Sequence, residues 1–290
     1  MSDWPAIYIR IYNLAMRFDE IGYWSEVKLA IIKEYAAAYS RILSKKGFHH
    51  IYIDAFAGAG IHISETTGGF VRGSPLNALI TNPSFEELYF VELDGRKVEF
   101  LREAIGQQNN VHIYHGNCND LLPTEVFPKI SYKDYKRALC FLDPYGLHLS
   151  WKVVEAASQT RSIEIFLNFP IHDINRNVLR KTLQEVEQAQ IDRMNTFWGD
   201  FSWRDIAYRL TKDIWGKNRW LKDCNNEKIT EAFRQRLINV AGFIHVPKPM
   251  PMRNSRGSTV FYLFFASHNQ VGAKIAQDIF KKYSHMRMRG

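Results

Sequence analysis

Residues 49–60 read HHIYIDAFAGAG, and the fold class follows from this stretch. HHIYIDAF is β-branched and aromatic, the composition of a short buried strand. The glycines after it let the backbone turn and approach a ligand closely. Upstream, 24–45 carries Val27, Ile31, Tyr35, Ala38 and Ile42 at helical spacing, and Gly47 stops the helix. Downstream, Gly73-Ser74-Pro75 opens another helix, read with Ser74 as its cap and Pro75 in its first turn.

The alternation continues along the chain. ELYFVEL (87–93), VHIYHGN (111–117), RALCFLDPYG (137–146) and SIEIFLNFP (162–170) read as strands. The helices between them are DGRKVEFLREAIGQ (94–107) and LSWKVVEAASQT (149–160). Strands separated by helices imply right-handed crossovers and an α/β, mostly parallel sheet with helices on both faces. From 171 to about 241 the pattern reads as helices only, among them 177–197, 202–210 and 229–242. Two strands then follow, FIHVP (243–247) and STVFYLFFA (258–266), joined by a basic, Pro-rich turn and closed by the helix GAKIAQDIFKKY. The expected division is a helical segment at 1–48, a core at 49–170, a helical insertion at 171–241, and a closing strand pair with its helix at 242–290.

Composition sets limits. Of 290 residues, 46% are hydrophobic and 23% charged, ordinary for a globular chain. Three scattered cysteines suit neither a disulfide framework nor a metal cluster, so no metal is expected. The first residues, MSDWPAIYIRIYNLAM, lack the basic start and cleavage site of a signal peptide, with Asp3 at the start and Arg10 inside the apolar run. No stretch reaches the ~18 apolar residues of a membrane span, and the expectation is a cytoplasmic protein. A net charge of +8 favours a polyanionic partner, either RNA or DNA.

Ligands of open α/β sheets sit beyond the carboxyl ends of the strands, so each strand end is a candidate site. The first gives Asp54, Phe56, Gly58 and Gly60; Asp54 is placed to accept from a ligand ammonium, or is a surface acid on a glycine-rich connection. The stretch departs from G-x-G-x-x-G, which counts against a dinucleotide. At the second end Glu92 has the reach to accept two ribose hydroxyls, with Asp94 the better fit to a helix cap. At the third, Asn117, nearest the strand end, or Asp120, one helical turn further on, is a candidate acceptor for an adenine amino group, with Asp120 alternatively a helix cap. The fourth gives Asp143-Pro144-Tyr145. Lys248, Arg253 and Arg256 in the late turn, with the tail KKYSHMRMRG, are candidate phosphate contacts.

The ordered set IDAFAGAG, GSPLNAL, YFVELD, FLDPYG and YLFFASHNQVGAKI resembles the bacterial three-Cys-motif partner protein (TcmP) family. The resemblance covers roughly 24–280 and implies a Rossmann-like class I methyltransferase fold, with a seven-stranded sheet, and S-adenosylmethionine (SAM) as cofactor. It also implies a protein partner of the three-Cys-motif type. A second, partial resemblance is to bacterial ribosomal-RNA adenine-N6 methyltransferases, carried by Lys28, Gly73-Ser74-Pro75, Glu92 and Asp143-Pro144-Tyr145. It implies that Lys28 and Ser74 line the methionine end of SAM. It further implies that Asp143 and a neighbouring carbonyl accept the protons of a base amine while Tyr145 stacks on the base. The motif there is Asp-Pro-Pro-Tyr; here the second proline is missing and Tyr145 comes one position early. The expected function is SAM-dependent methylation of a nucleobase amine, the alternative an inactive SAM-binding subunit of another enzyme.

Overall fold

The computed structural model describes residues 18–212, 215–254 and 257–284. Residues 1–17 of the helical segment expected at 1–48, Arg256, and the tail from 285 lie outside the described residues. Among the described residues no helix is long and apolar enough to cross a membrane.

In chain order, β1 (Glu20–Ile21) leads into α1 (Tyr23–Lys45) and β2 (His49–Asp54). Next come β3 (Ile61–Ser64), β4 (Phe70–Arg72), α2 (Ser74–Leu79), β5 (Glu87–Glu92), α3 (Gly95–Ile105) and β6 (Val111–His115). They are followed by α4 (Cys118–Leu121), β7 (Lys136–Leu142), α5 (Trp151–Gln159), β8 (Ile163–Phe169) and α6 (Ile171–Asn177). Beyond lie α7 (Gln188–Trp198), α8 (Trp203–Ala207), β9 (Tyr208–Lys212), β10 (Asn218–Lys222), α9 (Asn226–Asn239), β11 (Met250–Arg253), β12 (Thr259–Ala266) and α10 (Gln270–Ser284).

Seven strands form one sheet in the order β11-β12-β8-β7-β2-β5-β6. The five from β8 to β6 run parallel, and β12 is antiparallel to both its neighbours. This is the Rossmann-like class I methyltransferase fold. Side chains alternate between the faces. Tyr52, Leu139, Phe141 and Phe166 pack under α1 and α10, where α1 buries Val27, Ile31, Ile32, Tyr35, Ala36 and Tyr39. Ile53, Cys140, Ile165 and Phe169 pack on the other face, under α5 and the helices after β8.

The structure departs from the sequence pattern in several places. The region after β8 is not helical throughout: β9 and β10 form an antiparallel hairpin. Trp203, Ala207 and Leu210 share a helical spacing, but the helix stops at Ala207 and Asp223 N donates to the carbonyl of Ala207. The helix expected over 177–197 is broken, because the Tyr208 hydroxyl donates to the carbonyls of Val178 (2.9 Å) and Arg180 (3.2 Å) and holds that chain out of helical register. FIHVP is not a strand; it buries Phe243 and Val246, and His245 alone bridges to Ser267. The partner of β12 is β11, within the stretch read as a turn. Pro251 is tolerated there because an edge strand has one unpaired side. Ser74 is not the cap of α2 but its first residue, with Gly73 at the cap position. The small sheet β1-β3-β4 was not anticipated.

Candidate active site

Asp54 closes β2, between β5 and β7, and is 0% exposed. Its Oδ1 accepts from the Phe56 amide at 3.2 Å, while Oδ2 is buried with no hydrogen bond among the described residues. Burial pushes its carboxyl up to about 7; the Ser74 hydroxyl and the Phe56 amide pull it down, and Asp143 and Glu92 add to the rise. Buried acceptors are normally satisfied, so an orphan at a strand end marks a place for a donor.

The turn after β2 is built on glycine. Gly58 has φ +62°, and a Cβ there meets nothing within 4 Å, so the backbone faces open space. A Cβ on Gly73 would come within 2.9 Å of the Gly60 carbonyl, which accepts from the Gly73 amide at 2.7 Å. This backbone contact brings Ser74, at the start of α2, over the end of β2. Phe56 is half-buried and packs against the core on the α5 side.

Glu92 ends β5 and is 8% exposed. Its Oε2 accepts from Gly58 N at 2.7 Å and its Oε1 from Asp94 N at 2.9 Å, which fixes the carboxylate while leaving lone pairs on both oxygens. Asp94 is the cap of α3, accepting from Arg96 N at 2.9 Å. The open choice between the two acids is thereby resolved: Glu92 is not the cap. After β6 the capping residue of α4 is Asn117, accepting from Asn119 N at 3.0 Å, and not Asp120, which lies inside the helix and is exposed.

The β7 end holds an ion pair that the sequence reading did not foresee. Lys28, buried on α1, donates to Asp143 Oδ1 at 2.7 Å and Oδ2 at 2.6 Å. Its ammonium also lies 4.8 Å from the centre of the Phe261 ring. Pro144 is buried and Tyr145 is 61% exposed. The Tyr145 hydroxyl donates to Asp19 Oδ2 at 3.0 Å, and Lys97 bonds the same oxygen at 2.6 Å. Although much of the ring is exposed, desolvation at the hydroxyl end and the Asp19 charge raise the Tyr145 phenol. Burial works against ionisation of Asp19, but Lys97 and Tyr145 outweigh it and hold its carboxyl below the usual range. His62, on β3, faces the same charges; burial lowers its imidazole pKa, and its Nδ1 is buried without a partner among the described residues.

Lys28, Asp54, Ser74, Glu92 and Asp143 thus converge on one end of the sheet, joined by Asp19, His62 and Lys97, which nothing in the local sequence singles out. The late basic residues do not converge. Because β11 is antiparallel to β12, Arg253 ends β11 at the carboxyl edge, whereas exposed Lys248 precedes its start at the other edge. Five residues of extended chain keep them roughly 15 Å apart. The tryptophans after β8 divide as well: Trp198 and Trp203 are core at 1% and 0% exposure, and Trp215 is exposed.

No family model and no curated protein matches the chain. A solved structure from Legionella pneumophila str. Philadelphia 1 is similar, with a TM-score of 0.48 and 14% identity over 88% of this chain and 92% of that one. The methyltransferase domain of bacterial Hen1 gives 0.40 and 11% identity over 84% and 99%. A SAM-dependent methyltransferase from Leishmania major gives 0.39 and 11% over 82% and 72%.

Proposed function

We propose that the chain is a SAM-dependent methyltransferase acting on an exocyclic amine of a nucleobase in RNA or DNA. The observation that carries this reading is the orphaned, fully buried Asp54 Oδ2 at the end of β2, beside open backbone at Gly58 and the fixed carboxylate of Glu92. These residues fit the methionine and ribose parts of SAM: Asp54 and Ser74 would hold the ammonium, Glu92 would accept the ribose hydroxyls, and Asn117 or Asp120 would take the adenine amino group. SAM supplies an electrophilic methyl group when bound. The acceptor amine is a poor nucleophile, since its lone pair is delocalised into the ring. Asp143 would accept a hydrogen bond from the amine and take up the proton it loses, and Pro144 would offer its carbonyl without a competing N–H; the new C–N bond would replace the methyl–sulfur bond, the cofactor leaving as a neutral thioether. The exposed Tyr145 ring suits stacking on a base, worth ~1–3 kcal/mol. Alignment of amine and methyl is the main catalytic device.

The paired state of Asp143 favours a second reading, a SAM-binding subunit without transfer of its own, because Lys28 donates to both its oxygens and already holds the carboxylate in an ion pair between α1 and the end of β7. Incubation with methyl-labelled SAM and bulk RNA or DNA separates the two. Label in nucleic acid supports the enzyme; cofactor binding without transfer supports the subunit; no binding of SAM removes both.

Two further results are expected. Glu92→Ala weakens SAM binding by ~1.5–3 kcal/mol, the scale of a charged hydrogen bond; calorimetry giving wild-type affinity would remove the ribose role. Affinity for nucleic acid falls steeply with salt, and Arg253→Ala lowers the slope of log affinity against log salt by about one. Lys248→Ala, at the far edge, leaves the slope unchanged. A flat salt response in the unaltered protein points instead to a small-molecule or protein substrate.

A further inference from the structure

The amino edge of the main sheet, at the end opposite Asp54 and Asp143, holds a cavity of about 860 Å3. It lies where the C-terminal half of α1, the starts of β7 and β8, and the turn between β12 and α10 come together. Lys46, Lys133, Arg137 and Arg161 line it, and none of them pairs with a carboxylate among the described residues. The one acid in the lining is Glu164, which accepts from Tyr35 Oη at 2.5 Å and Ser267 Oγ at 2.9 Å. Burial pushes its carboxyl up to about 7 against the pull of those two donors, so near neutral pH it carries about half a charge against the four cations.

Arg137 is fixed before any ligand arrives. Its guanidinium carbon lies 4.0 Å from the centre of the Tyr132 ring and 4.6 Å from that of Phe48. Nη1 donates to the Lys136 carbonyl at 2.8 Å and the Tyr132 carbonyl at 3.4 Å, while Nε and Nη2 have no bond among the described residues. A planar fork held in place with donors to spare is a ready anion site. Two hydroxyls of the same lining, Tyr39 Oη and Ser162 Oγ, are buried and unpartnered, on side chains 6% and 2% exposed. Leaving buried hydroxyls unbonded is costly unless a ligand completes them.

We infer that this cavity binds an organic phosphate of mononucleotide size, its phosphate on Arg137 and the neighbouring cations and its sugar hydroxyls on Tyr39 and Ser162. The volume falls in the range of small-molecule sites. An inorganic anion alone satisfies the cations and leaves both hydroxyls unmet; an apolar ligand satisfies neither. The site lies at the other end of the strands from the one proposed for SAM and does not depend on that reading.

Calorimetry on the full chain with GMP, UMP and inorganic phosphate tests this, adenine being avoided because of the other site. At least one nucleotide is expected to bind one to one, about tenfold or more tighter than inorganic phosphate. Arg137→Gln should weaken it at least about tenfold, and Tyr39→Phe and Ser162→Ala several-fold each. Tyr39→Phe and Ser162→Ala remove only an unbonded hydroxyl, so they keep the test sound if Arg137→Gln folds poorly. No binding of either nucleotide, affinity equal to that of inorganic phosphate, or nucleotide binding unchanged in both hydroxyl variants overturns the proposal.

Discussion

Asp54→Asn is expected to make the protein more stable at about pH 8 while it loses affinity for SAM. The carboxyl of Asp54 has an ordinary value of 3.8 and is raised to about 7 by burial. An acid raised in this way binds its proton more tightly folded than unfolded. Its contribution to stability is therefore fully present below 3.8 and is lost as pH rises to about 7. A rise of that size corresponds to about 4 kcal/mol, an upper figure for the cost of ionising the group in place. Asparagine removes that cost but buries an amide donor without a partner, which costs ~1–3 kcal/mol. A net gain of about 1–3 kcal/mol at about pH 8 remains, and by about pH 4, where the native acid is protonated and the ionisation cost has gone, it turns into a loss of about 1–3 kcal/mol. Denaturant unfolding at several pH values measures it; a gain independent of pH would mean that the charge of Asp54 is not what burial opposes. The same group ties cofactor binding to protons. A ligand ammonium stabilises the carboxylate, so the affinity of the unaltered protein for SAM should fall as the solution is acidified through about pH 7, up to about tenfold for each further step of one in pH. In Asp54→Asn that dependence should flatten.

Asp143→Ala is expected to reduce methyl transfer more than about a hundredfold, the scale of a lost positioning and proton-accepting group. The ion pair adds a second effect. With Asp143 gone, the ammonium of Lys28, whose side chain is 8% exposed, is left without its partner. Stranding one member of a mostly buried pair costs about 3 kcal/mol, less here to the extent that the Asp143 side chain, 25% exposed, is screened by water. Lys28→Met combined with Asp143→Ala should recover most of that stability, because no charge remains to be desolvated, and should recover none of the activity. Single-turnover transfer at saturating SAM, read beside unfolding curves for both variants, separates the two roles. Full activity in the double variant would remove Asp143 from the chemistry. A rescue of rate together with stability would make the pair structural only.

Local patterning determined much of this protein. HHIYIDAF, ELYFVEL and SIEIFLNFP identify their own strands because a strand buried on both faces must be apolar throughout. The acids Asp54, Glu92 and Asp143 could be placed because the carboxyl end of each strand is where the apolar run stops. Gly58 and Gly60 mark the turn, since few other residues take positive φ. The sequence by itself therefore determined the parallel core and which residues stand at its carboxyl edge. Tertiary structure alone decided what those residues do to one another. Lys28 and Asp143 are 115 positions apart, and their contact depends on α1 crossing the end of β7. The Asp19–Lys97–Tyr145 group draws on three separate segments. The same holds where the local reading failed: Tyr208 captures the carbonyls of Val178 and Arg180, and β12 recruits a proline-bearing segment as its edge partner. A periodic pattern records which face of a segment is buried, whereas a long-range hydrogen bond or strand pairing belongs to two segments at once, and only the folded chain brings them together.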